Sequence, residues 1–125
     1  LIGTVNLADQ AALRAEVAWF DIQDWPELDD GYGMHAPVDH YASNPWGLHN
    51  VHGNVWEWCL DGYAAYGPYP QNDPVTAQGA SAFVVVRGGG YRHRAFNARS
   101  AARNFDTADY AGSWFGIRPS RRVLQ

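Results

Sequence analysis

The sequence predicts a single α+β domain that is rich in loops. One segment near the N-terminus has helical spacing, three or so short segments have the pattern of strands, and stretches dense in Asp, Gly and Pro separate them. The chain has 125 residues, of which 46% are hydrophobic and 14% aromatic. This composition supplies one hydrophobic core, and the length allows at most one domain.

A helix is predicted over residues 8–19, followed by a long ordered loop over residues 21–45. Small and aromatic residues recur at helical spacing in the first segment, with good helix formers between them. The second segment has no sustained period, and its aromatic residues argue against disorder. The residues that carry the helical pattern are Ala8, Ala12, Ala15 and Trp19, with Asn6 or Asp9 as the N-cap.

The first predicted strand covers residues 54–60, where side chains alternate between two faces. We expect Trp56, Trp58 and Leu60 on the more heavily buried face, and Val55, Glu57 and Cys59 on the other.

Two further strands are predicted later in the chain. The β-branched run at residues 83–86 is typical of a central strand, and the three glycines at 88–90 should end or bend it. Residues 114–118 suggest a closing strand, and the intervening sequence is irregular. No repeat or low-complexity segment is present.

Charge and hydropathy argue against nucleic-acid and membrane partners. Residues 1–86 hold eleven Asp or Glu and one Arg, whereas residues 87–125 hold eight Arg and two Asp, which gives −10 and +6 and a total of −4. Neutralisation within one fold explains this asymmetry better than a basic binding face, because the Arg residues are interleaved with aromatics and Gly. No apolar run reaches roughly 18 residues, and Leu1 does not begin a signal segment, so we expect a soluble chain of undetermined compartment.

Several motifs occur in the order found in formylglycine-generating, or sulfatase-modifying, enzymes. They are Asp30-Gly31-Tyr32, Ala36-Pro37-Val38-Asp39, the run from Asn44 through Gly53-Asn54-Val55-Trp56-Glu57-Trp58, Val86-Arg87-Gly88-Gly89-Gly90-Tyr91, Ala101-Ala102-Arg103 and Phe115-Gly116-Ile117-Arg118. The chain therefore resembles this family over most of its length.

The resemblance implies a C-type lectin fold of the formylglycine-generating-enzyme type, with short antiparallel strands. It also implies that residues 1–125 are the C-terminal part of one such domain. We expect the N-terminal part to lie elsewhere, as a remainder of the same chain or as a separate chain that partners this one.

The family contains oxidases and sulfoxide synthases, so the fold does not settle the function. Oxidase members carry two cysteines between the Gly-Gly-Ser-Tyr-like and Ala-Ala-Arg motifs, but the corresponding segment here, residues 92–100, has none. The only cysteine, Cys59, cannot form an intrachain disulfide and is expected to be a small buried hydrophobe. Sulfoxide synthases hold iron through a separate helical domain, and His49 and His52 here favour a turn over a metal site. Whether the chain is an enzyme stays open, with the missing cysteines weighing against it.

A third branch contains the variable proteins of diversity-generating retroelements, which display a hypervariable C-terminal surface. Adenine mutagenesis of Asn codons in those systems cannot produce Lys, Glu, Gln, Met or Trp, and residues 88–113 contain none of these five. The mixture of aromatic, Arg, His and Asn residues suits a surface that binds a protein or small-molecule ligand, although an ordinary solvated loop remains the alternative. The residues expected to contact ligand, within 91–114, are Tyr91, Arg92, His93, Arg94, Phe96, Asn97, Asn104, Phe105, Asp106, Thr107, Tyr110, Ser113 and Trp114.

The resemblance also implies structural calcium. Ca²⁺ binds hard oxygen ligands, including backbone carbonyls, and it orders loops that lack regular structure. The alternative for these Asx residues is capping of local turns. By position, the first group is Asn6 with the Leu7 carbonyl and Asp30 with the Tyr32 carbonyl; the second is Asn50 with the carbonyls of Val51, Gly53 and Val55, with Glu57 as a candidate neighbour.

Overall fold

A computed structural model describes residues 4–18, 22, 26–68, 75–76 and 82–120. Its centre is a four-stranded sheet of order β3-β2-β1-β4. The strands are β1 (Trp56–Gly62), β2 (Phe83–Arg87), β3 (Asn104–Thr107) and β4 (Phe115–Gly116), accompanied by helix α1 (Gln10–Arg14) and a 3₁₀ helix (Ala95–Ala98).

The sheet is mixed rather than purely antiparallel. β2 pairs antiparallel with both β1 and β3, but β4 runs parallel to β1, with Trp56 opposite Phe115 and Glu57 opposite Gly116. The α+β class is therefore confirmed, and the antiparallel expectation is wrong for the closing strand. In the part of the chain that the structure describes, no helix is long and apolar enough to cross a membrane.

Helix α1 is shorter than the sequence predicted. Asp9 is its N-cap and accepts a hydrogen bond from the Ala12 amide, which confirms one of the two expected caps. The helix ends early because Glu16 adopts φ 55°, and the Glu16 and Val17 amides then donate to the carbonyls of Leu13 and Ala12. These two hydrogen bonds form a Schellman motif, which satisfies the last helical carbonyls. Trp19, the last residue of the predicted pattern, lies outside the described residues.

The central strands agree with the sequence, with one correction. Val84, Val85 and Val86 are buried in β2, which lies between two other strands as predicted. In β1 the burial declines along the strand: Trp56 is only 2% exposed, Trp58 is half-buried, and Leu60 is 69% exposed. The expectation that Leu60 is buried is wrong, because the alternation of side chains assigns a residue to a face but does not determine whether that face is covered.

Strand β3 was not predicted, because its sequence Asn104-Phe105-Asp106-Thr107 is polar and short. It forms the edge of the sheet beside β2, with Phe105 opposite Val85. The amides of Phe105 and Thr107 donate to the side-chain oxygens of the residues before them, at 2.9 Å each. Local side chains thus satisfy two donors that a second strand would otherwise use.

A buried pair of asparagines joins the distant segments. Asn54 adopts φ 64°, and its amide and carbonyl bond to the Asn6 carbonyl and the Tyr91 amide at 2.7 and 2.9 Å. Its side chain accepts from Asn6 Nδ2 and the Ala36 amide, and donates to the Ala36 carbonyl. One residue therefore connects the N-terminal segment, the long loop and the segment after β2.

The end of helix α1 generates a stability prediction. Glu16→Gly should stabilise the protein by about 0.5–1 kcal/mol, because glycine adopts a positive φ without the steric cost that a Cβ imposes. Urea unfolding of the variant beside the parent measures this change. Glu16→Ala is the matched control, since it removes the same charge but keeps the Cβ. If alanine stabilises as much as glycine, charge rather than backbone conformation is responsible.

Candidate functional site

Five side chains form a continuous cluster on one face of the sheet, which we name the sheet-face cluster. Trp58 stacks on Phe115 at a centroid distance of 4.8 Å, and Phe115 contacts Tyr110 at 5.5 Å and Trp114 at 6.1 Å. The Arg92 guanidinium lies 4.6 Å from the Trp114 ring centroid, which is cation–π geometry. Three predicted ligand residues, Arg92, Tyr110 and Trp114, therefore meet at one surface.

Strand β3 divides its four predicted ligand residues between the two sheet faces. Trp58 lies opposite Val86 and Val86 lies opposite Asn104, so Asn104 and Asp106 are on the face of the cluster. Phe105 and Thr107 are on the other face, where Phe105 contacts Phe83 at 4.8 Å and Tyr63 at 4.3 Å.

Two predicted ligand residues lie beneath the surface. Tyr91 is 2% exposed and His93 is 6% exposed, so the expectation of an exposed His93 is wrong. The buried Trp56 indole donates from Nε1 to His93 Nδ1 at 3.2 Å, and their rings meet edge to face. His35 packs against the Tyr91 ring with a centroid distance of 4.9 Å. These buried rings support the surface instead of belonging to it.

The burial of His93 has an electrostatic consequence. Removal from water disfavours the charged imidazole, and the nearby Arg92 adds to this effect, so the pKa of His93 falls to about 4. The ring is then neutral at pH 7, with Nδ1 as the acceptor for Trp56.

The remaining predicted ligand residues are separate from the cluster. Arg94 caps the 3₁₀ helix that carries Phe96 and Asn97, and Phe96 is 63% exposed with the Arg99 guanidinium 3.5 Å from its ring centroid. Ser113 is exposed, and its carbonyl contacts His35 Nε2. The thirteen residues therefore do not form one continuous surface.

The first group of predicted calcium ligands contains a buried oxygen that lacks a hydrogen bond. Asn6 is completely buried, and its Nδ2 donates to the carbonyl of Met34 and to Asn54 Oδ1 at 2.7 and 3.0 Å. Its Oδ1 has no partner among the residues that the structure describes. A buried acceptor without a donor is costly, and a cation would satisfy it.

Asp30, in the same group, is held between two segments. Its carboxylate oxygens accept from the amides of Leu7 and Tyr32 at 3.0 and 2.9 Å. Burial raises the pKa of Asp30 to about 6, because the charged carboxylate loses hydration and the acidic side chains of Asp9 and Asp29 add repulsion. A bound cation would favour the ionised form.

The second group of predicted calcium ligands also contains a buried amide oxygen that lacks a hydrogen bond. Asn50 adopts φ 50° and donates from Nδ2 to the Val38 carbonyl at 3.1 Å, while its Oδ1 is buried and has no partner among the described residues. A Cβ placed on Gly88 would lie 3.4 Å from the Val51 carbonyl oxygen and 3.8 Å from that of Val55. Glycine at this position thus keeps a space into which two predicted ligands point. Both groups fit a cation that binds amide and carbonyl oxygens.

Glu57 and His49, the other residues considered as metal ligands, form contacts that hold the fold together. Glu57 accepts from Arg118 Nε at 2.9 Å with both carboxylate oxygens, and Arg118 also donates to the His49 carbonyl. His49 Nδ1 contacts the Tyr41 carbonyl at 2.7 Å, which supports a turn. Within the described ranges, no three His, Cys, Asp or Glu side chains come together as a metal site.

Cys59 is half-buried, and burial raises the pKa of its thiol. This change lowers the thiolate fraction, the opposite of what a nucleophilic cysteine requires.

The sequence did not single out Phe115 as a surface residue or Asn54 as a central one. Phe115 was placed in the closing strand, and only the parallel pairing of β4 with β1 brings it to Trp58. Asn54 was part of a motif, but an asparagine in a turn is common, so its type alone does not reveal its position in the core.

Residues 5–123 match the family described as sulfatase-modifying factor enzyme 1-like domain. The chain is 37% identical over 97 residues to the formylglycine-generating enzyme of Thermomonospora curvata, and this match covers 72% of the chain and 32% of that enzyme. The chain thus spans about a third of the length of this curated relative.

Two solved structures share the fold. PvdO from Pseudomonas aeruginosa has a TM-score of 0.69 and 23% identity, and the match covers 94% of this chain and 38% of that one. Treponema denticola variable protein 1 has a TM-score of 0.61 and 24% identity, with 86% and 36% covered. At these identities, the likeness concerns the fold.

The buried His93 generates a prediction about pH. Its folded pKa of about 4 lies below the ordinary value of 6.5, so the unfolded chain binds the proton more tightly. Stability from this residue is fully present above pH 6.5 and is lost as pH falls through 4, by about 3 kcal/mol in total.

His93→Gln keeps a side-chain acceptor for Trp56 but does not titrate. The difference in unfolding free energy between parent and variant should therefore shrink as pH falls from 7 to about 4. Urea unfolding over this range measures it. Asp30 titrates in both proteins, so its opposite contribution cancels in the difference. A difference that is independent of pH would contradict the assignment.

Proposed function

The chain belongs to the sulfatase-modifying factor enzyme 1-like domain family, and from this premise we propose that it is a non-catalytic binding protein. In this proposal a C-type lectin fold displays a variable surface within residues 91–114, as the variable proteins of diversity-generating retroelements do. The ligand is a protein or a small molecule. The rest of the domain is supplied by another part of the same chain or by a separate chain.

The observation that carries the proposal is the separation of surface from support. Trp114 contacts both Arg92 and Tyr110 at the sheet-face cluster, and Asn104 and Asp106 lie on the same face. In contrast, Trp56, Tyr91 and His93 are almost completely buried. A protein that varies its binding residues must keep its packing energy at positions that do not vary. Aromatic and Arg side chains are also the residues that contribute most at binding surfaces.

The cysteine content supports a non-catalytic role. The chain has one cysteine, and the raised pKa of the Cys59 thiol makes it a poor nucleophile. The shared fold of Treponema denticola variable protein 1 agrees with the display hypothesis at the level of architecture.

The second candidate function is an oxidase, favoured by the 37% identity to a formylglycine-generating enzyme. Its test is the incubation of the protein and copper with a cysteine-containing sulfatase peptide, followed by mass spectrometry. We expect the peptide to remain unchanged. Formation of the aldehyde would establish the enzyme and exclude the non-catalytic proposal.

Structural calcium is part of the proposal. The support is chemical: Asn6 Oδ1 and Asn50 Oδ1, one in each predicted group, are buried acceptors without donors among the residues described. Amide and carbonyl oxygens around a single carboxylate, Asp30, suit Ca²⁺ better than Mg²⁺, which requires tighter octahedral geometry. Bound calcium would order the loops that carry these ligands.

The display hypothesis predicts tolerance of substitution at the surface. A library randomised at the exposed Asn104 and Tyr110 and at the half-buried Arg92 and Asp106 should remain largely folded, because substitutions outside the core usually cost within about 0.5 kcal/mol each. Members that bind an arbitrary test protein should be selectable from it. Display on yeast measures both properties when a tag counts the displayed chains and resistance to protease counts the folded fraction.

The control library randomises Trp56, Tyr91 and His93, whose side chains are buried. Most of its members should be unfolded, since even Trp56→Ala should cost about 3–5 kcal/mol. If the two libraries lose folded protein equally, the surface residues belong to the core and the display hypothesis is wrong.

Calcium generates a separate prediction. After EDTA treatment, the thermal unfolding midpoint should fall, and Ca²⁺ but not Mg²⁺ should restore it; ligand at about 100 times its Kd adds about 2.7 kcal/mol. The gain should diminish as pH falls below about 6, where Asp30 becomes protonated.

The raised pKa of Asp30 determines how its contribution to the stability of the protein changes with pH. Without calcium, its contribution to stability is fully present below pH 3.8 and is lost as pH rises through 6, so calcium compensates mainly above pH 6. Asp30→Asn should weaken the calcium response, whereas Asp29→Asn, the exposed neighbour that pairs with Arg14, should not. Indifference of the parent protein to EDTA would contradict the calcium proposal.

A further inference from the structure

The sheet face opposite the sheet-face cluster contains a cavity of about 440 Å³. This volume is within the range of small-molecule sites. Val85, which is 3% exposed, is part of its lining from strand β2, and the segment after β1 supplies other walls. The polar side chains that line it are Asp61, Tyr66, Thr76, Arg87 and Arg103.

The Arg103 guanidinium contacts the faces of two tyrosine rings. Its central carbon is 3.8 Å from the Tyr66 ring centroid and 4.9 Å from that of Tyr63. The N–H bonds of a guanidinium lie in its plane, so an aromatic ring that covers its face does not block them. They can still donate to a ligand at the edge of the group. Stacking therefore orients the donor fork of Arg103 and reduces its rotational freedom before any ligand binds.

Among the residues that the structure describes, Arg103 has no anionic partner. The ion pairs of the described residues join Arg14 to Asp29 and Arg118 to Glu57, and no hydrogen bond from Arg103 to another described residue is present. Its role thus differs from that of Arg87. Arg87 donates to the carbonyls of Ser100 and Ala102 and is part of the scaffold.

Arg87 nevertheless contributes to the cavity through Tyr66. Arg87 Nη2 donates to Tyr66 Oη at 3.0 Å, so the hydroxyl acts as an acceptor there and its own proton remains for another acceptor. The cavity lining carries two guanidinium groups and one carboxylate, Asp61, whose Oδ1 accepts from the Thr76 amide. The lining is therefore net positive.

We propose that this cavity binds a carboxylate through the in-plane N–H groups of Arg103 and the hydroxyl of Tyr66. A planar carboxylate matches the guanidinium fork in a bidentate arrangement, which is the strong form of this interaction. The group belongs to a small organic acid or to the C-terminus of a short peptide, since both present the same planar anion. The site is independent of the sheet-face cluster, because the two lie on opposite faces of the sheet.

The experiment titrates the protein with benzoate and with the neutral isostere benzamide, and follows the Arg103 side-chain Nε–H signal by NMR. Benzoate should shift this signal in a saturable manner, and benzamide should bind at least about tenfold more weakly, because a charge-assisted bond is lost. A second pair, N-acetyl-glycyl-phenylalanine and its C-terminal amide, tests a peptide terminus. Tighter binding of the free acid than of benzoate would identify the peptide as the better ligand class.

Substitutions of the cavity residues test whether the carboxylate binds there. Parent and variants are compared through the backbone amide signals of lining residues such as Val85, because Arg103→Gln removes the Nε–H reporter. Arg103→Gln should weaken benzoate binding at least about tenfold, and Tyr66→Phe, which keeps the ring but removes the hydroxyl, should weaken it several-fold. Arg99→Gln is the matched control, since Arg99 also stacks on a ring, that of Phe96, but does not line this cavity. Unfolding midpoints confirm that each variant is folded.

Three results would overturn the proposal. They are equal binding of benzoate and benzamide, equal loss of binding in the Arg99 and Arg103 variants, and no saturable shift with either acid while the parent protein is folded.

Discussion

The rest of the structure depends on the buried pairing of Asn6 with Asn54. Asn54 bonds through its backbone to Asn6 and Tyr91, and through its side chain to Asn6 and Ala36. The hydrogen bond from Asn6 Nδ2 to Asn54 Oδ1 joins two residues that are 48 positions apart in sequence. Because an unsatisfied amide in the core costs free energy, the network fixes the position of each segment and therefore the start of β1.

This constraint also explains why candidate cation groups lie where they do. Because Asn6 Nδ2 donates to Met34 and Asn54, the other atom of the amide, Oδ1, is buried without a donor among the described residues. Asp30, with its pKa raised by burial, is in the same part of the fold. The cost of these buried polar groups is the physical reason that a cation would stabilise this loop-rich domain.

The two faces of the sheet offer different chemistry to a ligand. The face of Trp58 and Phe115 is aromatic, whereas the face of Val85 carries a cavity lined by the Arg103 guanidinium. Strand β3 contributes to both faces because its side chains alternate. Asn104 and Phe105, neighbours in sequence, therefore belong to different surfaces, and variation along this strand would change both.

The sequence by itself determined the α+β class, the two central strands, the end of β2 at its glycines and the family, because these depend on local patterns and on motifs that are contiguous in the chain. It left two candidates for the helix cap, and the structure selected Asp9. Tertiary structure alone decided the burial of His93, the exposure of Leu60 and the existence of β3. Burial depends on which distant segment covers a residue, and a short polar strand forms only because β2 supplies hydrogen-bond partners beside it. Residue types suggested which side chains could contact a ligand. Only the register of the sheet showed that those of β3 lie on two different faces.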